Sequence, residues 1–288
     1  YPDIGMSPLT YYLAFARLAP VQLTTWGHPD TTGIPNVDYY LSSELLESPQ
    51  SSKHYSEQLE TIKHTPTYYF PPDRPNRSYT PDDFQLPKGV RLYVCPQTLI
   101  KFHPAFDALL GELLRRDADG RLVLLDDNKD GNWKNLLTER FARTFPDMVE
   151  NVLFVPRMPH EKFFGLLILA DALLDIPSFS GGNTTLEAFA MGAPIVTWPQ
   201  RFMRSRVTAA FYQQMGLTDL IAFDSESYLK LALQLANDED FRSKMKDNIE
   251  KNSSKLYENS EVIQEMETFF RVAYRHSQER EPLSTPTV

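Results

Sequence analysis

The densest chemical potential in this sequence lies between Ser178 and Ala188, Ser-Phe-Ser-Gly-Gly-Asn-Thr-Thr-Leu-Glu-Ala, where a predicted strand, 172–176, gives way to a predicted helix, 185–191. Gly181 and Gly182 carry no Cβ to block the close approach of a ligand. Asn183, Thr184 and Thr185 offer amides and hydroxyls at the positive end of the new helix. Such an end is a seat for phosphate. The same run also permits a plainer role, in which Thr184 and Glu187 form a capping box and the glycines shape a turn.

Two other stretches carry reactive residue types. Gly27-His-Pro-Asp-Thr-Thr-Gly33 follows a predicted strand, 21–26, and is dense in small polar groups at the strand's C-terminal edge, where ligands bind in open α/β sheets. As a histidine, His28 is of a residue type suited to proton handling or orientation of a hydroxyl; between Gly27 and Pro29 it suits a structural hydrogen bond equally well. Asp126-Asp127 ends the predicted strand 121–125. A carboxylate pair there resembles a divalent-metal site, but an N-cap or surface role fits it better, and no metal is expected. The six histidines have no metal-ligand spacing.

The elements that must position these groups alternate. A helix is expected over 7–18, capped by Ser7 with Pro8 in its first turn; strands over 21–26 and 37–41; and a short helix over 54–59. After a stretch rich in proline and charge, strands are expected at 90–94, 121–125, 151–155, 172–176 and 195–198. Helices at 103–116, 133–145, 160–170, 185–191 and 204–215 fall between and after them. This alternation implies an α/β fold with parallel sheets. Residues 1–70 read as the remnant of an N-terminal domain, 71–88 as a linker without regular structure, and 89–224 as a nucleotide-binding domain. Residues 225–276 read as C-terminal helices, and 277–288 as a disordered tail.

Composition narrows the function. With 288 residues and 42% hydrophobic content, two ordinary cores can be buried. A net charge of −9 argues against a nucleic-acid partner, and the densest basic group, Arg201, Arg204 and Arg206, is small. The longest apolar run, 163–176, is too short to span a bilayer and contains Asp171, so no membrane partner is expected. The single cysteine, Cys95, excludes intramolecular disulfides and zinc clusters and suits a reducing, cytoplasmic setting.

Four segments resemble the catalytic region of the O-GlcNAc transferase and SPINDLY-like protein O-glycosyltransferases. They are Leu18-Ala-Pro-Val-Gln-Leu-Thr-Thr-Trp-Gly-His-Pro-Asp-Thr-Thr-Gly33, Gln97-Thr-Leu-Ile-Lys-Phe-His-Pro104, Ala170 to Glu187, and Met191-Gly-Ala-Pro-Ile-Val-Thr-Trp-Pro199 with Ser205-Arg-Val207. The resemblance implies a GT-B fold of two Rossmann-like domains, the N-terminal one incomplete, with a UDP-sugar held in the cleft between them. It implies transfer of GlcNAc with inversion onto Ser or Thr of a protein acceptor, with no metal and no cofactor besides the UDP-sugar co-substrate. Because the sequence opens at Tyr1 without a methionine, a tetratricopeptide region and the first part of the N-terminal domain, including the general base, are expected upstream. The same fold using GDP-fucose or UDP-glucose is the enzymatic alternative. A truncated, inactive nucleotide-binding or interaction module is the other.

Residue by residue, the resemblance gives Lys101, in the loop after the strand at 90–94, the role of contacting the donor phosphates. Leaving-group charge without a metal needs such a cation. Gln97 is expected to hydrogen-bond the phosphates beside Gly181, Gly182, Asn183, Thr184 and Thr185. Glu187 is expected to accept the ribose hydroxyls, and His160 and Phe163 to flank the base. His28 is the candidate for orienting the acceptor hydroxyl or donor sugar.

Overall fold

A computed structural model describes residues 1–126 and 132–279. Asp127, the second half of the acidic pair, and residues 280–288 of the expected tail lie outside the described residues. The chain divides into two compact units, residues 1–68 with 259–279, and Tyr69–Glu258.

The first unit opens with helix α1 (Pro8–Leu13), shorter than expected and with no buried residue. Strands β1 (Leu23–Thr25), β2 (Tyr39–Ser43) and β3 (Gln58–Ile62) form a parallel sheet in the order β1-β2-β3. The helix expected over 54–59 is not there: a single 3-10 turn, Ser51–His54, precedes β3. Gln58-Leu-Glu-Thr-Ile62 pairs in register with Tyr39–Ser43, a strand buried along its whole length. A backbone edge beside such a strand must be satisfied, and that requirement overrides local propensity.

In the second unit β4 (Arg91–Thr98), α2 (Pro104–Arg116), β5 (Gly120–Asp126), α3 (Asn132–Thr144), β6 (Val152–Pro156), α4 (His160–Leu169), β7 (Ala172–Leu174), α5 (Asn183–Ala190), β8 (Ile195–Val196) and α6 (Val207–Met215) alternate. All strand pairs are parallel, and the order is β6-β5-β4-β7-β8. The apolar runs Leu92-Tyr-Val-Cys95, Leu122-Val-Leu124 and Ala172-Leu-Leu174 are buried throughout, as a sheet covered on both faces requires. Helix α2 buries Phe106, Leu109, Leu110, Leu113 and Leu114 at helical spacing. From β4 the chain winds outward through β5 and β6, then returns to continue on β4's other side. The reversal between β4 and β7 leaves a crevice at the strands' C-terminal ends, where α/β sheets take ligands.

Two stretches differ from expectation. Residues 71–88 belong to the second unit and are not wholly irregular: Pro81–Phe84 is a 3-10 turn closed by a Thr80–Asp83 capping box, and Phe84 is buried. The C-terminal helices do not form one block. Helices α7 (Ser225–Asn237) and α8 (Glu239–Asn252) join the second unit, while α9 (Ser260–Glu279) joins the first. Val262, Met266 and Phe269 put an apolar stripe of α9 against Leu23, Leu41 and Ile62 of the small sheet, and Phe269 meets Tyr39 edge to face. That sheet needs a cover, and α9 supplies it.

Candidate functional site

The site of the second unit begins where β4 loses its ladder. Cys95 pairs with Leu124 but Thr98 with Leu125, so Pro96 and Gln97 are extruded between them. A bulge of this kind re-aims a side chain. Gln97 turns inward, is 4% exposed, and its Nε2 donates to Asp175 Oδ1 at 2.7 Å. Asp175 follows β7 directly, across the crevice, and is 2% exposed. The Gly181 amide donates to the same oxygen at 2.9 Å, and the Thr197 hydroxyl donates to Oδ2 at 2.7 Å.

Lys101 closes the 3-10 turn Leu99–Lys101 after β4. Its Nζ donates to Gln97 Oε1 at 3.2 Å and stands 4.2 Å from the centroid of the Phe179 ring, a cation–π arrangement. Burial lowers its pKa below that of an ordinary lysine, while Asp175 pulls it back up.

The glycine loop runs into α5 as expected, but two details are corrected. The helix starts at Asn183 with Gly182 at its N-cap, and no side chain caps it, so Thr184 and Glu187 form no capping box. Thr185 is buried and its hydroxyl pairs with Thr208 Oγ1 at 2.9 Å, so that hydroxyl faces the interior and is not presented to a ligand. The first amides of a helix have no intrahelical partner, and those of Asn183 and Thr184 begin α5. Gly181 is required by space: a Cβ there would sit 2.4 Å from Thr185 Oγ1.

Beside this loop opens a cavity of about 240 Å³ bounded by Gln97, Thr98, Arg157, His160, Phe163 and Glu187. Helix α4 divides its two phenylalanines, with Phe164 in the core and Phe163 half-exposed on the cavity wall. Burial raises the pKa of Glu187, and His160 draws it back down. At the C-terminal ends of the central strands there are therefore an aromatic wall, a carboxylate, a helix N-terminus and a half-buried ammonium. Groups of these kinds can stack on a ring, accept from hydroxyls and hold an anion.

His28 belongs to the other unit. It lines a cavity of about 400 Å³ with Gly5, Tyr11, Tyr12 and Thr32, and its ring lies so close to Gly5 that a Cβ there would fall 1.8 Å from Nδ1. Tyr40 donates to the His28 carbonyl at 2.6 Å. Glu57, also buried, accepts from Thr31 Oγ1 at 2.7 Å, from the Thr32 amide at 2.7 Å and from the Thr32 hydroxyl. Burial alone would raise the Glu57 pKa, but these donors outweigh it and leave it lowered.

Sequence reasoning passed over Asp175, Phe179 and Thr197. One signal was available, a lone acid in the apolar run Ala172-Leu-Leu-Asp-Ile176, directly before the glycine loop. Among the described residues no three His, Cys, Asp or Glu side chains gather as metal ligands, and no helix is long and apolar enough to cross a membrane.

Comparison with known proteins adds the following. The model of glycosyl transferase family 41 matches residues 78–266. The chain is 27% identical over 230 residues to a "probable UDP-N-acetylglucosamine–peptide N-acetylglucosaminyltransferase SPINDLY" of Hordeum vulgare, covering 77% of this chain and 23% of that protein. With the Arabidopsis thaliana protein SEC, of the same description, identity is 27% over 228 residues, covering 76% of this chain and 23% of that protein. The chain thus spans about a quarter of the length of these relatives. A lysine-to-methionine mutant of the O-GlcNAc transferase of Thermobaculum terrenum superposes with a TM-score of 0.81 at 25% identity, over 94% of this chain and 52% of that one. The fold is accordingly α/β of the GT-B type, with parallel sheets. With more than half of its length matched by the family's model and its site groups ranged along the crevice of a parallel sheet, the chain belongs to glycosyl transferase family 41.

Proposed function

We propose that this chain carries the donor-binding part of a protein O-glycosyltransferase that moves GlcNAc from UDP-GlcNAc to Ser or Thr hydroxyls with inversion and without a metal. The observation that carries this reading is that Phe163 and Glu187 line one cavity with Gln97, which in turn receives Lys101, beside the glycine loop that opens α5, in a chain of family 41. Phe163 and His160 flank uracil, and Glu187 accepts the ribose hydroxyls. The Gly182, Asn183 and Thr184 backbone holds the diphosphate, and Gln97 positions Lys101 beside it. As the glycosidic bond stretches, charge grows on the β-phosphate, and Lys101 meets it with a cation already in position.

Calorimetry tests the donor. UDP should bind in the presence of EDTA, and more tightly than GDP; a preference for GDP, or a strict need for a divalent ion, overturns the reading. Mass spectrometry of an acceptor protein incubated with UDP-GlcNAc then tests the transfer.

A further inference from the structure

Asp175 does not itself line the cavity, yet three donors converge on its carboxylate, one of them from the wall residue Gln97. Its carboxylate accepts from Gln97 and Gly181 at one oxygen and from Thr197 at the other. Those partners come from β4's extruded end, the glycine loop and the segment after β8. Tyr228 of α7 also donates to its main-chain carbonyl at 2.8 Å. Two N–H groups meeting at Oδ1 can be satisfied only by an acceptor oxygen. Burying a carboxylate this deeply is costly unless it is paired and hydrogen-bonded, and here two of the donors, Gln97 and the Gly181 amide, belong to the phosphate end of the site.

We infer that Asp175 is the positioning residue of the diphosphate seat, acting through Gln97 and Gly181 and supplying the counter-charge of Lys101. The orientation of the Gln97 amide follows from it: with Nε2 drawn to Asp175, Oε1 must face outward, and Oε1 is the atom that accepts from Lys101 Nζ. Flip that amide and Lys101 meets an NH2 group. The Gly181 amide is likewise tied to the carboxylate, which sets the pitch of the loop entering α5. The other titratable group near Lys101, the Cys95 thiol, is pushed up by burial and stays neutral. Asp175, whose own pKa burial raises, is therefore the acidic group whose charge opposes the burial-driven fall in the Lys101 pKa.

This inference rests on the donor site proposed above, and its test separates the two. UDP is the probe, because its terminal phosphate carries the charge that the leaving group acquires. Its affinity is measured by calorimetry on the full chain from about pH 7 to about pH 10, above the titration of the phosphate itself. Since Lys101 must be protonated to bind phosphate, affinity is complete below its pKa and falls as pH rises through it. In Asp175→Asn the fall should begin about one pH unit lower, and affinity at neutral pH should drop about tenfold. In a Gln97→Leu background the same substitution should cost much less, because the route through Gln97 is already cut. Should Asp175→Asn fail to fold, Thr197→Val takes its place; it removes one donor to the same carboxylate and should weaken UDP binding about threefold, again less in the Gln97→Leu background. Additive losses with an unmoved alkaline limb would reduce Asp175 to a purely structural residue. Absence of UDP binding by the unaltered chain would instead overturn the donor site itself.

Discussion

Lys101 is a cation in a setting that disfavours cations, half-enclosed over an aromatic face with one amide oxygen to receive it. An ammonium held ready in this way stabilises charge that appears only in the transition state, so its removal should be felt in turnover. Lys101→Ala is expected to lower kcat by about 10²-fold or more while the KM for UDP-GlcNAc changes by less than about fivefold. Equal losses in both would contradict the leaving-group role. Glu187 has the opposite logic, since it meets the ribose in ground and transition states alike. Glu187→Ala should weaken UDP by about tenfold, with kcat nearly unchanged. Its pKa is raised by burial, and the carboxylate form is the acceptor. Calorimetry should therefore show UDP affinity complete above that raised pKa and declining as pH falls through it, at less acidic pH than an ordinary glutamate would give. Gly181→Ala forces a Cβ onto Thr185 Oγ1 and should depress UDP affinity without a comparable loss of thermal stability.

The elements hold Lys101 by a second route. Asp107 of α2, 1% exposed, forms a paired contact with Arg140 of α3 at 2.6 and 2.8 Å, and the same guanidinium donates to the Phe102 carbonyl at 3.0 Å. Phe102 follows Lys101, so the ion pair clamps the turn that carries the ammonium. Arg140→Ala leaves a buried carboxylate without its partner and should destabilise the unit by about 3 kcal/mol in a urea titration. Most of this scaffold was legible, because every strand of the large sheet is an apolar run bounded by turn residues, and the helices between them keep a clear period. What was not legible depended on distant partners. The stretch 54–59 looks helical until β2 is there to pair with β3. Asp175 is one acid in an apolar strand, and its meaning lies in Gln97 and Thr197, far from it in sequence. Thr185 looked like a ligand group because Thr208, its actual partner, lies beyond another strand and a turn.

At the scale of the whole molecule, the second unit is one uninterrupted stretch with its own core, whereas the first is assembled from both sides of it. Residues 69–258 expressed alone should unfold in a single calorimetric transition and retain UDP binding; failure to fold would show that the two units are not independently stable. Removing residues 259–288 should instead strip the cover from Leu41 and Ile62, and amides of β2 and β3 should then exchange with deuterium at rates close to those of unfolded chain. The interrupted unit also dictates an order of events during synthesis. The small sheet leaves the ribosome before the larger unit yet cannot be sealed until α9 emerges, after 69–258 has been synthesised. Chains ending at Glu258 should therefore resist protease across the larger unit while residues 1–68 are still digested, so that strands translated before the larger unit mature after it.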